Sequence, residues 1–419
     1  MRFMRYFVES YGCTMNRGEG ERLAREMDAL GHERVFSEAE ADIIVLNTCT
    51  VVDATEKKMI RRMGELGKTE KDIIVSGCMA KVQTTRIGVR LPQAMILPPD
   101  QYELFPGKAE SAFGRGTPLQ RDYGIQEILP IAQGCLGKCT YCITKLARGR
   151  LVSRPEDEIV SDFKSMIYSR TKEIFLTAQD SACYGKDVGS DLPGLLRRML
   201  DFEGEYRIRL GMTNPDALDP VLDGILDCME DTRVYRFLHI PLQSGSNRIL
   251  RKMGRNYTVT RFMGIVNRAR ERFPDISIST DMITGFPGET EEDHRKSAAL
   301  IRKLRADTVN ITRFSPRPGT EAATMEGQVA GGVSKDRSAE LTNIKMSVED
   351  DENMQMIGKT VRALVSEQGK PGTVIARTDN YRPVGVAGDP PLGTFIDIEI
   401  TGSAPTHLLG RQINTSNQC

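Results

Sequence analysis

The sequence lacks net charge, because its 57 lysine and arginine residues are balanced by 57 aspartate and glutamate residues. A nucleic-acid partner would therefore have to bind local basic patches, since no general positive field surrounds the protein. The sequence also lacks any run of about 18 to 20 apolar residues, which a membrane span requires. Its first residues show no secretion signal. We therefore expect a cytoplasmic protein with no membrane partner.

Histidine is scarce as well, with four residues among 419, whereas cysteine occurs nine times. An odd number of cysteines in a long chain without an export signal favours reduced thiols over disulfides. Cys135, Cys139 and Cys142 have the spacing C-x3-C-x2-C, and no second cysteine pair follows to close a zinc site. Three thiolates would instead bind three irons of a four-iron cluster and leave the fourth iron open. The alternative is a partial zinc knuckle or a chance cluster.

Three further cysteines each follow a predicted strand of a parallel sheet, Cys13 in "VESYGCTMN", Cys49 in "IVLNTCTV" and Cys78 in "IIVSGCMAK". Because the carboxyl ends of parallel strands meet at one edge of a sheet, these thiols could converge into a second three-ligand site. The alternative is that they are small buried apolar residues at strand ends. The other cysteines are not predicted to be ligands: Cys183, Cys228 and Cys419.

The order of apolar runs predicts an α/β protein with three domains. Residues 1–105 alternate short apolar runs with helical segments, which is typical of a small α/β domain with a parallel sheet. A linker rich in Gly, Pro, Ala and Ser is expected over 106–121. Six strand and helix units over 122–345 predict a partial (β/α)6 barrel. Short alternating strands over 353–419 predict a small all-β barrel of five strands.

The segment "GCLGKCTYC", residues 134–142, resembles the signature of the radical S-adenosylmethionine (radical SAM) enzymes. Tyr141 stands at the aromatic position between the last two cysteines of that signature. The three domains together resemble the methylthiotransferases, and the C-terminal module resembles a TRAM domain. The other motifs that carry this resemblance are "YGCTMN", "NTCTV", "SGCMA", "LTAQD", "HIPLQSGSNRILRKMGR", "STDMITGFPGET" and "RTDNYRPV".

The resemblance implies an enzyme with two [4Fe-4S] clusters. The cluster on Cys135, Cys139 and Cys142 would cleave S-adenosylmethionine to a 5′-deoxyadenosyl radical, and a second S-adenosylmethionine would donate a methyl group. The other cluster would present sulfur, so that a substrate C–H becomes C–S–CH3. An electron donor and a sulfur donor are implied without being identified. The ligands of the second cluster, which are also predicted to be catalytic, would be Cys13, Cys49 and Cys78.

Polar residues after several predicted barrel strands are candidates for binding the cofactor, because barrels of this type place their sites at the carboxyl ends of strands. Gly285 suits a tight turn with close backbone approach to a ligand. For the polar side chains, the alternative is simple loop capping. The predicted cofactor-binding residues are Tyr141, Gln179, Asp180, Gln243, Ser244, Asp281 and Gly285.

Basic segments near the predicted barrel mouth and in the C-terminal module are candidates for binding RNA phosphates. An aromatic residue in the second group could stack on a base. The alternative for each basic run is a solvated surface. The predicted substrate or RNA contacts are Lys145, Arg148, Arg248, Arg251, Arg377, Tyr381 and Arg382.

The local sequences "CTYCITKLARGRL", "RLGMTNP" and "SPRPGT" resemble the archaeal and eukaryotic threonylcarbamoyladenosine branch of the family. This resemblance implies 2-methylthiolation of N6-threonylcarbamoyladenosine next to the anticodon of tRNA, with Lys145 or Arg148 meeting the threonyl carboxylate. The alternatives within the family are isopentenyladenosine in tRNA and a ribosomal-protein aspartate. Outside it, a radical SAM enzyme with the central cluster alone and an RNA-binding protein with structural zinc stay open.

Overall fold

The computed structural model describes residues 3–51, 53–102 and 123–413. The predicted linker, 106–121, and Cys419 lie outside the described residues. The domain boundaries drawn from the sequence stay predictions, whereas the helices and strands of each unit are given by the structure.

The N-terminal unit is a five-stranded parallel sheet in the order β2-β1-β3-β4-β5. Every residue of its central strand, Ile43–Thr48, is buried, because helices cover both faces of the sheet. The predicted parallel α/β fold is therefore confirmed. The strands are β1 Arg5–Ser10, β2 Glu33–Arg34, β3 Ile43–Thr48, β4 Asp72–Gly77 and β5 Met95–Leu97, and the helices are α1 Thr14–Ala29, α2 Asp53–Leu66, α3 Cys78–Val82 and α4 Thr84–Arg90.

The central unit contains six parallel strands that follow one another in chain order, in two sheets of three. Between the two sheets, a parallel bridge joins Ile208 to Val234, which precedes the first strand of the second sheet. The predicted partial barrel is confirmed. The strands are β6 Gln126–Pro130, β7 Ala132–Gln133, β8 Val152–Ser153, β9 Glu173–Thr177, β10 Arg207–Leu210, β11 Phe237–His239, β12 Ser277–Thr284 and β13 Thr308–Arg313, of which β7 and β8 form a separate antiparallel pair. The helices are α5 Ile143–Arg148, α6 Glu156–Ile167, α7 Leu192–Leu200, α8 Pro215–Leu218, α9 Leu222–Cys228, α10 Asn247–Lys252, α11 Val259–Arg272, α12 Glu291–Leu304 and α13 Gly331–Met354.

The last helix, α13, has 24 residues and runs without a break through positions 345 to 353. The domain ranges predicted from the sequence, 122–345 and 353–419, leave this charged stretch between the central and C-terminal domains. In the structure this stretch is helical and packs against the barrel, where Glu349 Oε1 accepts a hydrogen bond of 2.8 Å from the backbone N–H of Val309. The connection between the two units is therefore a rigid helix.

The C-terminal unit is a closed barrel of five strands in the order β14-β15-β16-β18-β17. Alternate residues of its strands point inward, and Val365, Val374 and Ile398 are among the fully buried ones. The predicted five-stranded all-β barrel is confirmed. Its strands are β14 Thr360–Gln368, β15 Thr373–Thr378, β16 Pro383–Ala387, β17 Phe395–Ala404 and β18 His407–Gln412.

The two outer units contact opposite ends of the central barrel. The C-terminal unit covers the amino ends of the strands, where Asn380 Nδ2 donates to the carbonyl of Asp275 at 2.8 Å. The N-terminal unit packs close to β6, since a Cβ added to Gly18 would lie 2.8 Å from Ile128 Cγ2. Across the described residues, no helix is both long and apolar enough to cross a membrane.

Candidate active site

The central cysteines lie in a loop between β7 and α5, at the carboxyl-end face of the barrel. Gln179 Oε1 fixes the start of this loop by accepting a hydrogen bond of 2.6 Å from the N–H of Gly134. Cys135 Sγ accepts a bond of 3.2 Å from the N–H of Gly137. A Cβ on Gly137 would lie 3.2 Å from Cys135 Sγ and 3.6 Å from Cys139 Sγ, so both sulfurs flank this residue.

The other three predicted ligands lie at the carboxyl ends of β1, β3 and β4. Cys13 is exposed and immediately precedes α1, while Cys49 and Cys78 are buried. Gly12 has φ 103°, and a Cβ there would lie only 2.8 Å from Cys49 Sγ. The structure therefore brings the separated Cys13 and Cys49 segments together, and only glycine fits between them.

Asn16, a buried residue of α1, connects the loops that carry these three cysteines. Its Nδ2 donates to the carbonyls of Tyr11 and Thr48 at 2.8 and 2.7 Å, and its Oδ1 lies 3.9 Å from Cys78 Sγ. Tyr11 and Thr48 are near neighbours in sequence of Cys13 and Cys49. Sequence reasoning missed Asn16, although it belongs to the quoted motif "YGCTMN".

Helix α5 links the two groups of cysteines. It begins directly after Cys142 and ends at Arg148, whose side chain enters the N-terminal unit. Arg148 Nε donates to Cys78 Sγ at 3.2 Å, and Nη2 donates to Asn16 Oδ1 at 2.7 Å and to Glu19 Oε2 at 2.6 Å. Burial alone would lower the pKa of Arg148, but the Glu19 carboxylate raises it well above its usual range.

This placement does not fit the prediction that Arg148 contacts the substrate. The residue is only 5% exposed, and its guanidinium is directed at Glu19, Asn16 and Cys78. The sequence showed a basic run after the cysteine loop, but helix geometry turns this one side chain inward. Lys145, one turn earlier, is half-buried and donates from Nζ to the carbonyl of Gly137 at 2.8 Å.

A second buried ion pair joins the same two units. Arg317, in the loop after β13, donates from Nη1 to Glu56 Oε2 at 2.7 Å, and both side chains are less than a tenth exposed. Glu56 also accepts a bond of 2.7 Å from the hydroxyl of Thr50, which follows Cys49. The loop after β13 reaches the central cysteines too, because the N–H of Ala322 donates to the carbonyl of Thr140 at 2.9 Å. Arg317 lies in the quoted segment "SPRPGT", yet sequence reasoning gave it no role.

Comparisons with known proteins agree with this arrangement. Family models match residues 5–97 (uncharacterized protein family UPF0004), residues 129–301 (radical SAM superfamily) and residues 354–413 (TRAM domain). The chain is 41% identical to a probable threonylcarbamoyladenosine tRNA methylthiotransferase of Pyrococcus horikoshii, over 98% of this chain and 100% of the relative. The chain belongs to the radical SAM methylthiotransferase family.

Other relatives cover the chain equally well. A probable threonylcarbamoyladenosine tRNA methylthiotransferase of Archaeoglobus fulgidus is 37% identical over 97% of this chain and 98% of its own. A tRNA-2-methylthio-N(6)-dimethylallyladenosine synthase of Clavibacter michiganensis is 33% identical, over 98% of this chain and 83% of its own. Among solved structures, the radical S-adenosylmethionine methyltransferase TsrM of Kitasatospora setae has a TM-score of 0.55, with 14% identity and 76% of each chain covered. This last likeness concerns the fold alone.

As a radical SAM methylthiotransferase, the protein uses S-adenosylmethionine and a [4Fe-4S] cluster, and the central cysteines fit that cluster by their chemistry. Thiolates are the ordinary ligands of iron–sulfur clusters. Burial raises the pKa of Cys135 to about 11, against the effect of the Gly137 N–H, so bound iron would be what keeps this sulfur deprotonated. In the part of the chain that the structure describes, no three Cys, His, Asp or Glu side chains are placed to share a single metal ion.

Tyr141 and Arg255 form the wall next to the central cysteine loop of the methylthiotransferase. The Tyr141 hydroxyl accepts a hydrogen bond from Arg255 Nη2, and Arg255 Nη1 donates to Asn214 Oδ1 at 2.6 Å. The Tyr141 ring packs edge-on against Phe286, with centroids 6.2 Å apart. Arg255 is the last residue of the quoted motif "HIPLQSGSNRILRKMGR" and was given no role from the sequence, whereas in the structure it lies beside the central cysteine loop.

Two predicted cofactor-binding residues after β9 hold loops in place. Gln179 accepts the bond from Gly134 described above. Asp180 is 2% exposed, accepts a bond of 3.1 Å from the N–H of Asn214, and contacts Cys183 Sγ at 3.1 Å. Burial raises the pKa of the Asp180 carboxyl. These contacts correspond to the loop-capping alternative, and direct binding of the cofactor by either side chain stays a prediction.

Gln243 and Asp281 meet where β12 passes the loop after β11. Gln243 adopts φ 77°, and its N–H donates to the carbonyl of Asp281 at 2.7 Å. The Asp281 carboxylate lies 3.0 Å from His239 Nε2 and accepts a bond of 2.9 Å from Asn310 Nδ2. Burial alone would raise the pKa of Asp281, but His239 holds it below its usual value. Both residues are positioned by neighbours, and their contact with a cofactor stays a prediction.

Ser244 and Gly285 support adjacent turns. Ser244 is buried, and its hydroxyl accepts a bond of 3.2 Å from the N–H of Ser246. Gly285 has φ 73°, and its N–H donates to the Glu289 carboxylate. A side chain on Gly285 would collide with Ser334 of α13. The expected tight turn is present at Gly285, while a ligand contact there stays a prediction.

The predicted RNA contacts of the C-terminal barrel lie at its junction with the central barrel. The Tyr381 ring packs 4.9 Å from that of Phe237, Arg377 donates to Glu367 at 2.8 Å, and Arg382 pairs with Asp307. These side chains line a cavity of about 280 Å³ between the two units. Tyr381 and Arg382 contact the central barrel, whereas Arg377 pairs within its own unit. A role as free RNA-binding side chains does not fit these positions.

The two other predicted arginines lie on α10 and are exposed. Arg248 Nη2 donates to the carbonyl of Gly288 at 2.6 Å and also pairs with Asp293. Arg251 lies one turn further along the same helix. Both stay candidates for contact with a phosphate backbone.

Proposed function

We propose that this methylthiotransferase converts N6-threonylcarbamoyladenosine, next to the anticodon of a tRNA, into its 2-methylthio derivative. The observation that supports it most is the position of two three-cysteine groups at adjoining sheet edges, joined by α5 and Arg148. The archaeal relatives at 41% and 37% identity bear the name of this activity.

Cys135, Cys139 and Cys142 hold the radical cluster in this proposal. When bound, the cluster and S-adenosylmethionine supply a radical that removes hydrogen from an unactivated carbon, and the cofactor also supplies the methyl group. The protein orients this loop through Gln179. It also lines the neighbouring wall with Tyr141, which the Arg255 guanidinium holds in place.

Cys13, Cys49 and Cys78 hold a second [4Fe-4S] cluster, which carries the sulfur to be transferred. The close approach of Gly12 to Cys49 and the bonds of Asn16 to both strand ends support this assignment. Replacing these three cysteines with alanine should remove about half of the iron and sulfide, since the central cluster would remain. Replacing Cys228, which is buried in the barrel core, is the matched control and should leave the iron content unchanged.

Lys145 binds the threonyl carboxylate of the substrate in this proposal. Its ammonium group has three donors, one of which is directed at the Gly137 carbonyl beside the cysteine loop. A carboxylate would form a charge-assisted bond with another of these donors. Arg148, the other residue considered for this role, is enclosed between Glu19 and Cys78.

The tRNA backbone would lie along α10, where Arg248 and Arg251 are exposed. Such phosphate contacts predict that the affinity for tRNA falls as salt is raised. The reaction also needs an electron donor and a sulfur donor, whose identities are open. The cytoplasmic location stays a prediction.

The test is mass spectrometry of nucleosides from tRNA that has been incubated with the reconstituted, reduced enzyme and S-adenosylmethionine. A mass gain of one methylthio group on threonylcarbamoyladenosine is the expected result. A gain on isopentenyladenosine instead, or on a ribosomal protein supplied in parallel, would move the protein to another branch of the family. A colourless preparation that contains zinc and no iron would contradict the proposal altogether.

A further inference from the structure

The guanidinium of Arg148 contacts Cys78, a predicted ligand of the second cluster. No step of the proposed reaction uses this contact. The Nε–H of Arg148 donates to Cys78 Sγ at 3.2 Å. The same side chain belongs to the six-residue helix that starts directly after Cys142. One short helix therefore connects a ligand of the radical cluster with the sulfur of a ligand of the second site.

Glu19 and Asn16 fix the orientation of this guanidinium. Glu19 binds it through both carboxylate oxygens, with Nη2 to Oε2 at 2.6 Å, and Asn16 Oδ1 accepts from Nη2 at 2.7 Å. A fork of this kind fixes direction as well as distance. The Arg148 and Glu19 side chains are 1% and 5% exposed, so water does not weaken the bond to Cys78.

We propose that Arg148 is a positioning residue that raises the reduction potential of the second cluster by hydrogen bonding to the Cys78 sulfur. The inference rests on the proposed function, because it takes Cys78 as a ligand of that cluster. Accepting one electron makes the cluster and its thiolates more negative. An N–H aimed at a ligand sulfur stabilises that reduced form, and hydrogen bonds to sulfur are among the factors that set cluster potentials.

Glu19 has the opposite influence in this arrangement. Its carboxylate neutralises the guanidinium and therefore limits how strongly Arg148 stabilises added negative charge at the cluster. Removing the charge of Glu19 should raise the potential, whereas removing Arg148 should lower it. A merely structural role for the pair would not produce shifts of opposite sign.

The experiment is a redox titration of the full-length protein, followed by electron paramagnetic resonance, with dithionite as the one-electron donor and mediator dyes. Cys135, Cys139 and Cys142 are replaced by alanine, so that the signal comes from the second cluster alone. Arg148→Gln should make the midpoint potential more negative by about 59 mV, which corresponds to a tenfold change in the one-electron equilibrium constant. Glu19→Gln should shift it to more positive potential.

Two further variants distinguish a direct effect on the reduction potential of the cluster from an effect on protein folding. Arg148→Gln leaves Glu19 buried without its main partner, whereas the double variant Glu19→Gln/Arg148→Gln leaves no unpaired buried charge. The double variant should keep its cluster and have a potential below that of Glu19→Gln. Arg62→Gln is the matched control, since Arg62 pairs with Glu9 and Glu38 in the same unit, and its potential should equal that of the unsubstituted background.

The outcomes distinguish this inference from the proposed function. Unchanged potentials in Arg148→Gln and Glu19→Gln, with a full cluster content, would overturn the inference and leave the proposed function standing. Loss of the cluster in both Arg148 variants would assign Arg148 a purely structural role and also overturn the inference. The absence of any cluster signal in the background protein with Cys13, Cys49 and Cys78 intact would overturn both.

Discussion

Arg317 of the central barrel and Glu56 of the N-terminal unit form an ion pair of 2.7 Å that is buried between the two units. Glu56 lies on α2 and also accepts a bond from Thr50, next to Cys49. Arg317 lies in the loop that contacts the central cysteine loop through Ala322. The pair therefore helps to hold the two groups of cysteines at a fixed separation.

We predict that Arg317→Ala destabilises the protein by about 3 kcal/mol, because it removes the buried partner of Glu56 and leaves this carboxylate only its half-exposed pair with Arg86. The variant should also lose methylthiolation, while each cysteine group stays intact within its own unit. The onset of the first thermal transition measures the stability, since a protein with three units need not unfold in one step.

Arg86→Ala is the control for this substitution. Arg86 pairs with the other oxygen of Glu56, but its side chain is about half exposed. An exposed pair contributes at most about 1 kcal/mol. Equal destabilisation by Arg86→Ala and Arg317→Ala would show that burial at the junction has no special importance.

Gly12→Ala should impair the second cysteine site. Its Cβ would lie 2.6 Å from Cys49 Cβ, in a backbone conformation of φ 103° that side chains rarely adopt. We expect lower iron content after reconstitution and no change at the central site. Gly31→Ala is the control, because Gly31 also has a positive φ, of 81°, but nothing lies within 4 Å of the new Cβ. This variant has backbone strain of about 1 to 2 kcal/mol and no collision with a neighbouring side chain. Normal iron in Gly12→Ala would refute the steric explanation.

Lys145→Ala should lower turnover on tRNA that carries threonylcarbamoyladenosine, while cleavage of S-adenosylmethionine without tRNA continues. The reason is that the charged donor is lost but the cysteine ligands remain. Lys138→Ala, an exposed lysine of the cysteine loop itself, is expected to behave like the unsubstituted protein. Turnover and cofactor cleavage are measured on the same preparations, and unchanged turnover in Lys145→Ala would dismiss this role.

The lowered pKa of Asp281 predicts how the stability of the folded protein depends on pH. Its pKa is held below the usual value, about 3.9, by His239 in spite of burial. The stabilisation from its carboxylate is therefore fully present above that value and is lost as pH falls through the lower folded pKa. The difference in melting temperature between the wild type and Asp281→Asn should stay constant down to about pH 4 and should shrink as the pH falls below that value. A constant difference would contradict the assignment.

Strand and helix positions followed from the sequence because each unit has a regular apolar pattern. Cys49 follows a strand, as its segment "IVLNTCTV" predicted, and this strand, β3, is buried on both faces. The charged stretch before the C-terminal barrel, which the boundaries drawn from the sequence leave between two domains, is helical. It is the end of α13, whose buried residues include Val348 and Glu349.

The roles of the basic residues were the least predictable from sequence. Arg148 and Lys145 lie three positions apart, yet one is buried against Glu19 and the other is half-buried by the cysteine loop. Charge alone does not distinguish a residue that binds RNA from one that joins two domains. The role of a basic residue depends on which carboxylate the fold places next to its side chain. For Arg148 this carboxylate belongs to Glu19, which is 129 positions away in the sequence.

The fold class, the two sets of three cysteines and the family resemblance could all be predicted from the sequence, because spacing and strand periodicity are local properties of the chain. The side chains that connect the two sets could be identified only from the folded protein. Arg148 contacts Cys78 across 70 positions, and Arg317 contacts Glu56 across 261. Such contacts arise when helices and loops of separate units pack against each other, and no local pattern in the sequence encodes them.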